Sequence, residues 1–213
     1  WKIFRVLRYR IQTFLSRRGV KLEYDDWQVH LFDDETDQFR AWRSRLAEIL
    51  QRLNEPAKIF KQDHRSFVAA FEFEEERLVI KKFTLQNTWF WFRWTSIVFG
   101  SLGEIACRNS LQMRDDGLLI PQPIMLWQRV ENLKVVESWM VYKYLQGDML
   151  ESSDVKEIVR YVKSMHARGW IHRDPHAANF IKTPNGIATI DPIRAAKSDS
   201  AYLKACDVLH MTR

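Results

Sequence analysis

Asp174 stands five residues before Asn179 in the stretch "HRDPHAAN", and another carboxylate, Asp191, closes the run "FIKTPNGIATID" that follows. A carboxylate, an amide and a second carboxylate are the parts that phosphoryl transfer asks of a protein. One carboxylate orients an attacking hydroxyl and accepts its proton. The other oxygen ligands hold a hard cation such as Mg²⁺, which keeps waters and substrate phosphates for the rest of its shell. Singly, none of these residues means much, and an Asp before a proline is ordinarily a turn former. A loop Asp, an Asn five residues on, a hairpin and a second Asp, in that order, is far more specific. Asp174 is therefore the candidate catalytic residue, and Asn179 and Asp191 are the candidate metal ligands.

A cation for the phosphates of a nucleotide is available upstream. "LVIK" (78 to 81) fits the phosphate-binding strand signature V-A-I-K. Two lysines are adjacent there, and strand alternation sends them to opposite faces, with Val79 and Lys81 on one and Lys82 on the other. Lys81 is the choice for the nucleotide lysine; the alternative makes both lysines solvated edge residues. Glu104 is its expected partner, the one acid on the next helix before Asp115.

The elements that must position these groups can be read from periodicity. "WKIFRVLRYRIQTFLSRR" (1 to 18) reads as a basic amphipathic helix closed by Gly19, either lying on anionic lipid or packed on the main domain. An acidic cluster opens a second helix with the stripe Phe39, Trp42, Leu46, Ile49, Leu50 and Leu53. From residue 58 the period changes: "SFVAAFEF" and "RLVIKKF" read as a hairpin around "EEE". "TWFWFRWTSIVFG" (88 to 100) concentrates aromatics. A helix from about Leu102 to Met113 and a strand over 135 to 145 follow. Asp154 with Glu157 reads as a capping box opening a helix that Gly169 ends. "FIKTPNGIATI" is a hairpin around Pro-Asn-Gly, and 200 to 213 is a last helix. The order predicts a sheet-rich lobe, then a helical one.

Composition narrows the classes. The 213 residues allow one moderate domain or two small lobes, with 46% hydrophobic residues for a core. A net charge of +6 favours an anionic partner. Cys107 and Cys206 are the only cysteines, which makes a reducing compartment the default. No run of 18 apolar residues and no signal-peptide pattern occurs, so no spanning helix is expected. Trp1 in place of Met points to a fragment. The nine Trp and the basic charge raise nucleic acid as a partner, but no RNA- or DNA-binding motif accompanies them, and none is expected.

With these motifs in view, the chain resembles the protein-kinase-like superfamily. "HRDPHAAN" carries all four fixed letters of the catalytic loop H-R-D-x-x-x-x-N. Within that superfamily the chain is most similar to the bacterial kinases that phosphorylate heptose or Kdo in the lipopolysaccharide core. The likeness runs over about residues 58 to 210 and rests on "GWIHRDPHAANFI", "GLLIPQPI" and "ATIDPIRAAK". It implies an α+β, bilobal fold with an antiparallel-sheet N-lobe (56–145) and a short, mainly helical C-lobe (146–213), preceded by a basic and aromatic helical extension (1–55). It implies ATP and Mg²⁺ as cofactors, a lipopolysaccharide core sugar as acceptor, and a peripheral position on the bacterial inner membrane facing the cytoplasm. "VYKYLQGD" resembles the hinge between lobes, where the backbone of Lys143, Tyr144 and Leu145 would meet adenine. His176 stands where protein kinases usually carry Lys. Asp207 resembles a buried Asp that props the catalytic loop, although an exposed helix Asp is an equal reading.

Departures from the pattern keep other readings open. "KIFKQDHRSF" holds no glycine, so either backbone amides or Lys61, His64 and Arg65 must cover the phosphates. Pro192 and Ile193 replace the usual Phe-Gly after the metal Asp, and no A-P-E segment follows. A protein or other small-molecule kinase, or a membrane-associated pseudokinase without turnover, are the alternatives. Arg93, Arg173, Lys182, Arg194 and Lys197 could supply charge for an anionic acceptor.

Overall fold

A computed structural model describes residues 12–32, 37–84 and 90–211. The expected basic helix lies outside the described residues up to residue 11, and 12–16 are helical. The chain forms two units. The first runs to Arg108 and resumes over Pro123–Tyr144; the second comprises Asn109–Gln122 and the residues from Leu145 on.

In the first unit, seven strands make one antiparallel sheet in the order β1-β2-β6-β7-β5-β4-β3. They are β1 (Gly19–Tyr24), β2 (Trp27–Phe32), β3 (Lys58–Gln62), β4 (Phe67–Phe73), β5 (Glu76–Lys82), β6 (Pro123–Glu131) and β7 (Lys134–Lys143). The β1–β2 hairpin corrects the sequence reading, which found no strand there and treated Gly19 only as a helix stop. Val20, Leu22 and Tyr24, then Trp27, Val29 and Leu31, alternate with polar residues around an Asp25–Asp26 turn, the period of a half-buried strand. Val29 and Leu31 are fully buried.

Two helices, α1 (Asp37–Ser44) and α2 (Leu46–Asn54), bring Trp42, Leu46, Ile49 and Leu53 into one core with Val29, Leu31, Phe71, Leu78, Ile80 and Trp127. The spacing of three and four residues gives α2 a single apolar stripe. Each large side chain buried this way stabilises the fold by about 1.5–3 kcal/mol relative to exposure. The stretch set apart in sequence as 1–55 thus contributes two strands and two helices to this sheet and core. The β4–β5 turn needs positive φ at Glu74 (49°) and Glu75 (63°), a conformation that costs a non-glycine residue about 1–2 kcal/mol. Glu74 offsets some of that cost: it accepts from Trp42 Nε1 at 3.0 Å and pairs with Arg45, tying the helices to the turn.

Strand register decides which lysine faces where. Lys21, His30, Leu126, Met140, Lys81, Val68 and Lys61 form one row across all seven strands. Lys82 points the other way, to the core side. Its ammonium lies 4.0 Å from the Trp139 ring centroid and donates to Asn54 Oδ1 at 3.3 Å. Alternation along β5 therefore separates the two lysines as expected. The face of Lys81 is the one met by α4 (Leu102–Asp115), which follows α3 (Phe90–Phe99). A Cβ on Gly103 would come within 2.2 Å of Ser138 Oγ and 2.7 Å of Leu126 Cδ1. Glycine is what lets this helix approach the sheet.

His30 gives the unit a pH dependence. Burial, with a smaller contribution from Lys21 directly across the ladder, lowers its pKa to about 4. Between pH 6.5 and 4 the unfolded chain then holds a proton that the folded chain lacks, so stability present above pH 6.5 is lost as pH falls. Thermal melts should shift down between pH 7 and 5, and His30→Gln should reduce that shift. His172 in the second unit acts with the same sign, so the slope should shrink rather than vanish. A variant slope equal to wild type would contradict this origin.

The second unit is built on α5 (Val155–Ala167), whose Ile158, Val162 and Met165 pack with Met113, Ile120, Leu150, Trp170 and Phe180. Gly169, at φ 79°, ends the helix turn as expected. The expected capping box is corrected: it joins Glu151 and Asp154 across a 3₁₀ turn, one step earlier than the Asp154–Glu157 pair. Glu157 instead receives Lys182 Nζ at 2.9 Å. β8 (Asp148–Met149) pairs with β10 (Phe180–Thr183), which makes the predicted hairpin with β11 (Gly186–Thr189). β9 (Trp170–Ile171) pairs with β12 (Ala196–Lys197), and α6 (Ala201–His210) closes the described chain. Among the described residues no helix is long and apolar enough to cross a membrane.

Candidate active site

The catalytic-looking loop leaves β9 at His172 and is held from below by one buried carboxylate. Asp207, on α6 and 2% exposed, accepts the His172 amide at 2.6 Å and the Arg173 amide at 2.7 Å, and lies 3.1 Å from His166 Nε2. Of the two sequence readings for Asp207, the buried prop is the one observed. Its grip matters because Arg173 has φ 64°, a left-handed conformation that persists in a non-glycine residue only when its surroundings enforce it.

Past that twist, Asp174 is about one-third exposed, with His176 Nε2 3.0 Å from Oδ1 and Arg194 Nη1 3.8 Å from Oδ2. Its carbonyl accepts from the His176 amide at 2.9 Å and from Asn179 Nδ2 at 2.8 Å. The second contact fixes Asn179: with its NH₂ turned to the backbone, the amide oxygen is the end left to act as a ligand. The Asn179 carbonyl accepts from the Ile190 amide at 3.0 Å and from Thr189 Oγ1 at 3.3 Å, so the loop and the strand end that delivers Asp191 are joined.

Asp191 enters a 3₁₀ turn with Pro192 in first position. That turn is anchored by Asn109, a buried residue whose Nδ2 donates to the carbonyls of Pro192 (2.7 Å) and Ala195 (2.9 Å). His172 completes the arrangement, with Nε2 2.9 Å from Thr189 Oγ1. Burial, the largest cause, lowers its pKa; the charges of Asp207, Asp191 and Asp174 oppose the shift in that order, and His176 adds to it. Burial thus favours the neutral imidazole against the pull of all three carboxylates.

Hard oxygen donors from Asn179 and Asp191 fit a divalent cation of the Mg²⁺ kind, which needs only one or two protein ligands. Among the described residues no group of three or more His, Cys, Asp or Glu could hold a metal. A cation of that kind keeps waters and substrate phosphates for the rest of its shell.

In the first unit, Lys81 sits on β5 with its ammonium 5.5 Å from the Phe83 ring centroid. Glu104 is buried and makes a capping box with Ser101: its Oε2 accepts the Ser101 amide at 2.6 Å, and Ser101 Oγ accepts the Glu104 amide at 3.0 Å. Lys143 Nζ is 2.9 Å from Glu76 Oε1, and the Tyr144 amide donates to the Arg77 carbonyl at 3.0 Å. That amide is therefore committed within the first unit. The first unit ends at Tyr144 and the second resumes at Leu145. Of the basic residues offered for an acceptor, Lys182 pairs with Glu157 and Lys197 with Asp116 at 2.8 Å, while Arg194 stays beside Asp174. The side chain of Arg93 lies outside the described residues. Sequence reasoning missed Asn109 and Thr189, whose roles lie in contacts far along the chain.

Over residues 20–213 the chain matches the family described as "Lipopolysaccharide core biosynthesis protein (WaaY)". Among solved structures it is similar to one titled "WaaP in complex with acyl carrier protein". The two share 17% identity over 85% of this chain and 78% of that one, with a TM-score of 0.54. At that identity the likeness is one of fold.

Proposed function

The chain belongs to the WaaY family of lipopolysaccharide core biosynthesis proteins, and on that premise we propose that it is a protein-kinase-like enzyme that transfers the γ-phosphate of ATP to a sugar hydroxyl of the lipopolysaccharide core. The observation that carries the reading is the hydrogen-bonded unit of Asp174, Asn179 and the strand end before Asp191. In this reading Asp174 orients the acceptor hydroxyl and takes its proton, and Asn179 and Asp191 hold Mg²⁺. Lys81, with Glu104 as its partner, takes the nucleotide phosphates, and backbone around Lys143, Tyr144 and Leu145 meets the adenine. Bound Mg²⁺ supplies charge neutralisation for the transferred phosphoryl group.

Nucleotide binding tests the assignment. Mg-ATP should raise the melting temperature of wild type, as any ligand specific to the native state does. Asp191→Ala and Asn179→Ala should each abolish most of that Mg²⁺-dependent rise, while Lys81→Ala should mainly slow transfer. No rise in wild type would favour a pseudokinase.

A peripheral position on the inner membrane, facing the cytoplasm, is part of the proposal. Supporting it are the basic residues before Gly19, the exposure of Trp91 (70%) and Trp94 (45%) on α3 and of Leu133 (79%) in the β6–β7 turn, and Lys134 Nζ at 3.8 Å from the Trp94 ring centroid. Tryptophan favours the water–lipid boundary, and each nearby Lys or Arg adds about 1 kcal/mol at an anionic surface. Binding to anionic vesicles should fall with salt and with Trp91→Ala plus Trp94→Ala. Equal binding to neutral and anionic vesicles would count against it.

A further inference from the structure

A kinase phosphate loop ordinarily covers the nucleotide with backbone amides, which glycine leaves accessible. The β3–β4 turn of this chain cannot do so. Asp63 Oδ1 accepts the amides of Arg65 (2.8 Å) and Ser66 (2.7 Å), and the Asp63 amide donates to the Ser66 carbonyl at 3.0 Å. Three of the four amides from Asp63 to Ser66 are thus consumed within the turn. The other carboxylate oxygen faces Lys61 Nζ at 3.2 Å. The Ser66 amide first, then the Arg65 amide and Lys61, draw the Asp63 pKa down to about 2, so the carboxylate keeps these partners at any ordinary pH.

What the turn presents instead is side chains. Arg65 and His64 are exposed, and Arg65 Nε donates to His64 Nε2 at 3.2 Å. That contact steadies the guanidinium and leaves both terminal nitrogens open, the fork that matches phosphate oxygens in pairs. Lys61 lies in the same strand row as Lys81, with Val68 between them. The turn therefore starts from the sheet face that carries the candidate nucleotide lysine. Ionised Asp63 would repel a phosphate, but its charge is already shared among two amides and an ammonium.

We propose that the β3–β4 turn grips the nucleotide's phosphates through the guanidinium of Arg65, steadied by His64, in place of the backbone amides of a glycine-rich loop. The inference rests on the kinase reading above and names how that site holds its nucleotide. Its ligand is a nucleoside triphosphate, recognised at the phosphates and not at the base.

Calorimetric binding of ATP and competition by adenosine, both with Mg²⁺, should be measured for wild type, Arg65→Gln, Arg65→Lys and His64→Ala. Arg65→Gln should weaken ATP by about tenfold or more, the scale of a lost charge-assisted pair, and leave adenosine unchanged. Arg65→Lys should recover part of the loss, and His64→Ala should lose less than Arg65→Gln. Melting temperatures equal to wild type would show the fold intact, as expected for exposed residues. If wild type binds ATP and Arg65→Gln binds it equally well, the proposal is wrong and the kinase reading stands. Equal loss of ATP and adenosine in Arg65→Gln would also overturn it, since that is collapse of the turn. If wild type binds no ATP, the kinase reading fails and takes this inference with it.

Discussion

Asp174→Asn should lower turnover by about 10²-fold or more, within the usual contribution of a positioned general base, and should leave Mg-ATP binding in place. The substitution is close to isosteric and changes only the carboxylate. The backbone carbonyl of residue 174 keeps the bonds from the His176 amide and from Asn179 Nδ2, so Asn179 should stay in place. The side chain is about one-third exposed, and its neighbours His176 and Arg194 are more exposed still, so stability should change little. A loss confined to kcat, with the KM for ATP near wild type, separates a missing base from a damaged site. Turnover within a few-fold of wild type would remove Asp174 from its assigned role.

Asp207→Ala should be nearly as damaging to turnover and far more damaging to stability. Its carboxylate satisfies two backbone amides and contacts His166 in a place almost without solvent. Removing it strands those buried donors, at about 1–3 kcal/mol each, so the unfolding free energy should drop by about 3 kcal/mol or more. Arg173 then loses the bond that ties its amide at positive φ, and relaxation there should move Asp174, the next residue. A shift of about 1 Å at a reacting group can cost 10²-fold in rate. Asp207→Asn should fall between the two, because its single amide oxygen can serve only one side of the pair. Wild-type melting and turnover in Asp207→Ala would show that the loop is positioned by something else.

The features legible in the sequence are those written in local spacing. Asp174 and Asn179 lie within one turn of each other, and the Pro184–Asn185–Gly186 turn fixes the hairpin that carries Asp191. Lys81 and Lys82 separate by strand alternation alone. The features missed depend on contacts across the chain or on a choice between equivalent local patterns. Asn109 lies more than eighty residues from the carbonyls it holds, and nothing around it marks it as an anchor. Asp207 is readable as a carboxylate on a helix, but its burial depends on where α6 packs. Both Glu151-x-x-Asp154 and Asp154-x-x-Glu157 spell a cap; the first is formed, with Asp154 Oδ2 accepting the Glu151 amide at 2.9 Å, and Glu157 pairs with Lys182 on the hairpin. The β1–β2 strands had the right alternation, but the basic, helix-like run before Gly19 masked it. Asp63 is legible as a turn former two and three residues before the amides it binds.

Transfer of labelled phosphate from γ-labelled ATP tests the proposed reaction directly. Purified core oligosaccharide lacking phosphate on its sugars should be incubated with the protein and Mg²⁺, beside casein as a generic protein acceptor. Label should appear on the oligosaccharide, with little on casein, and should be lost with Asp174→Asn. Label on casein in preference to the core sugar, or none on either with a folded, ATP-binding protein, would contradict the proposed reaction.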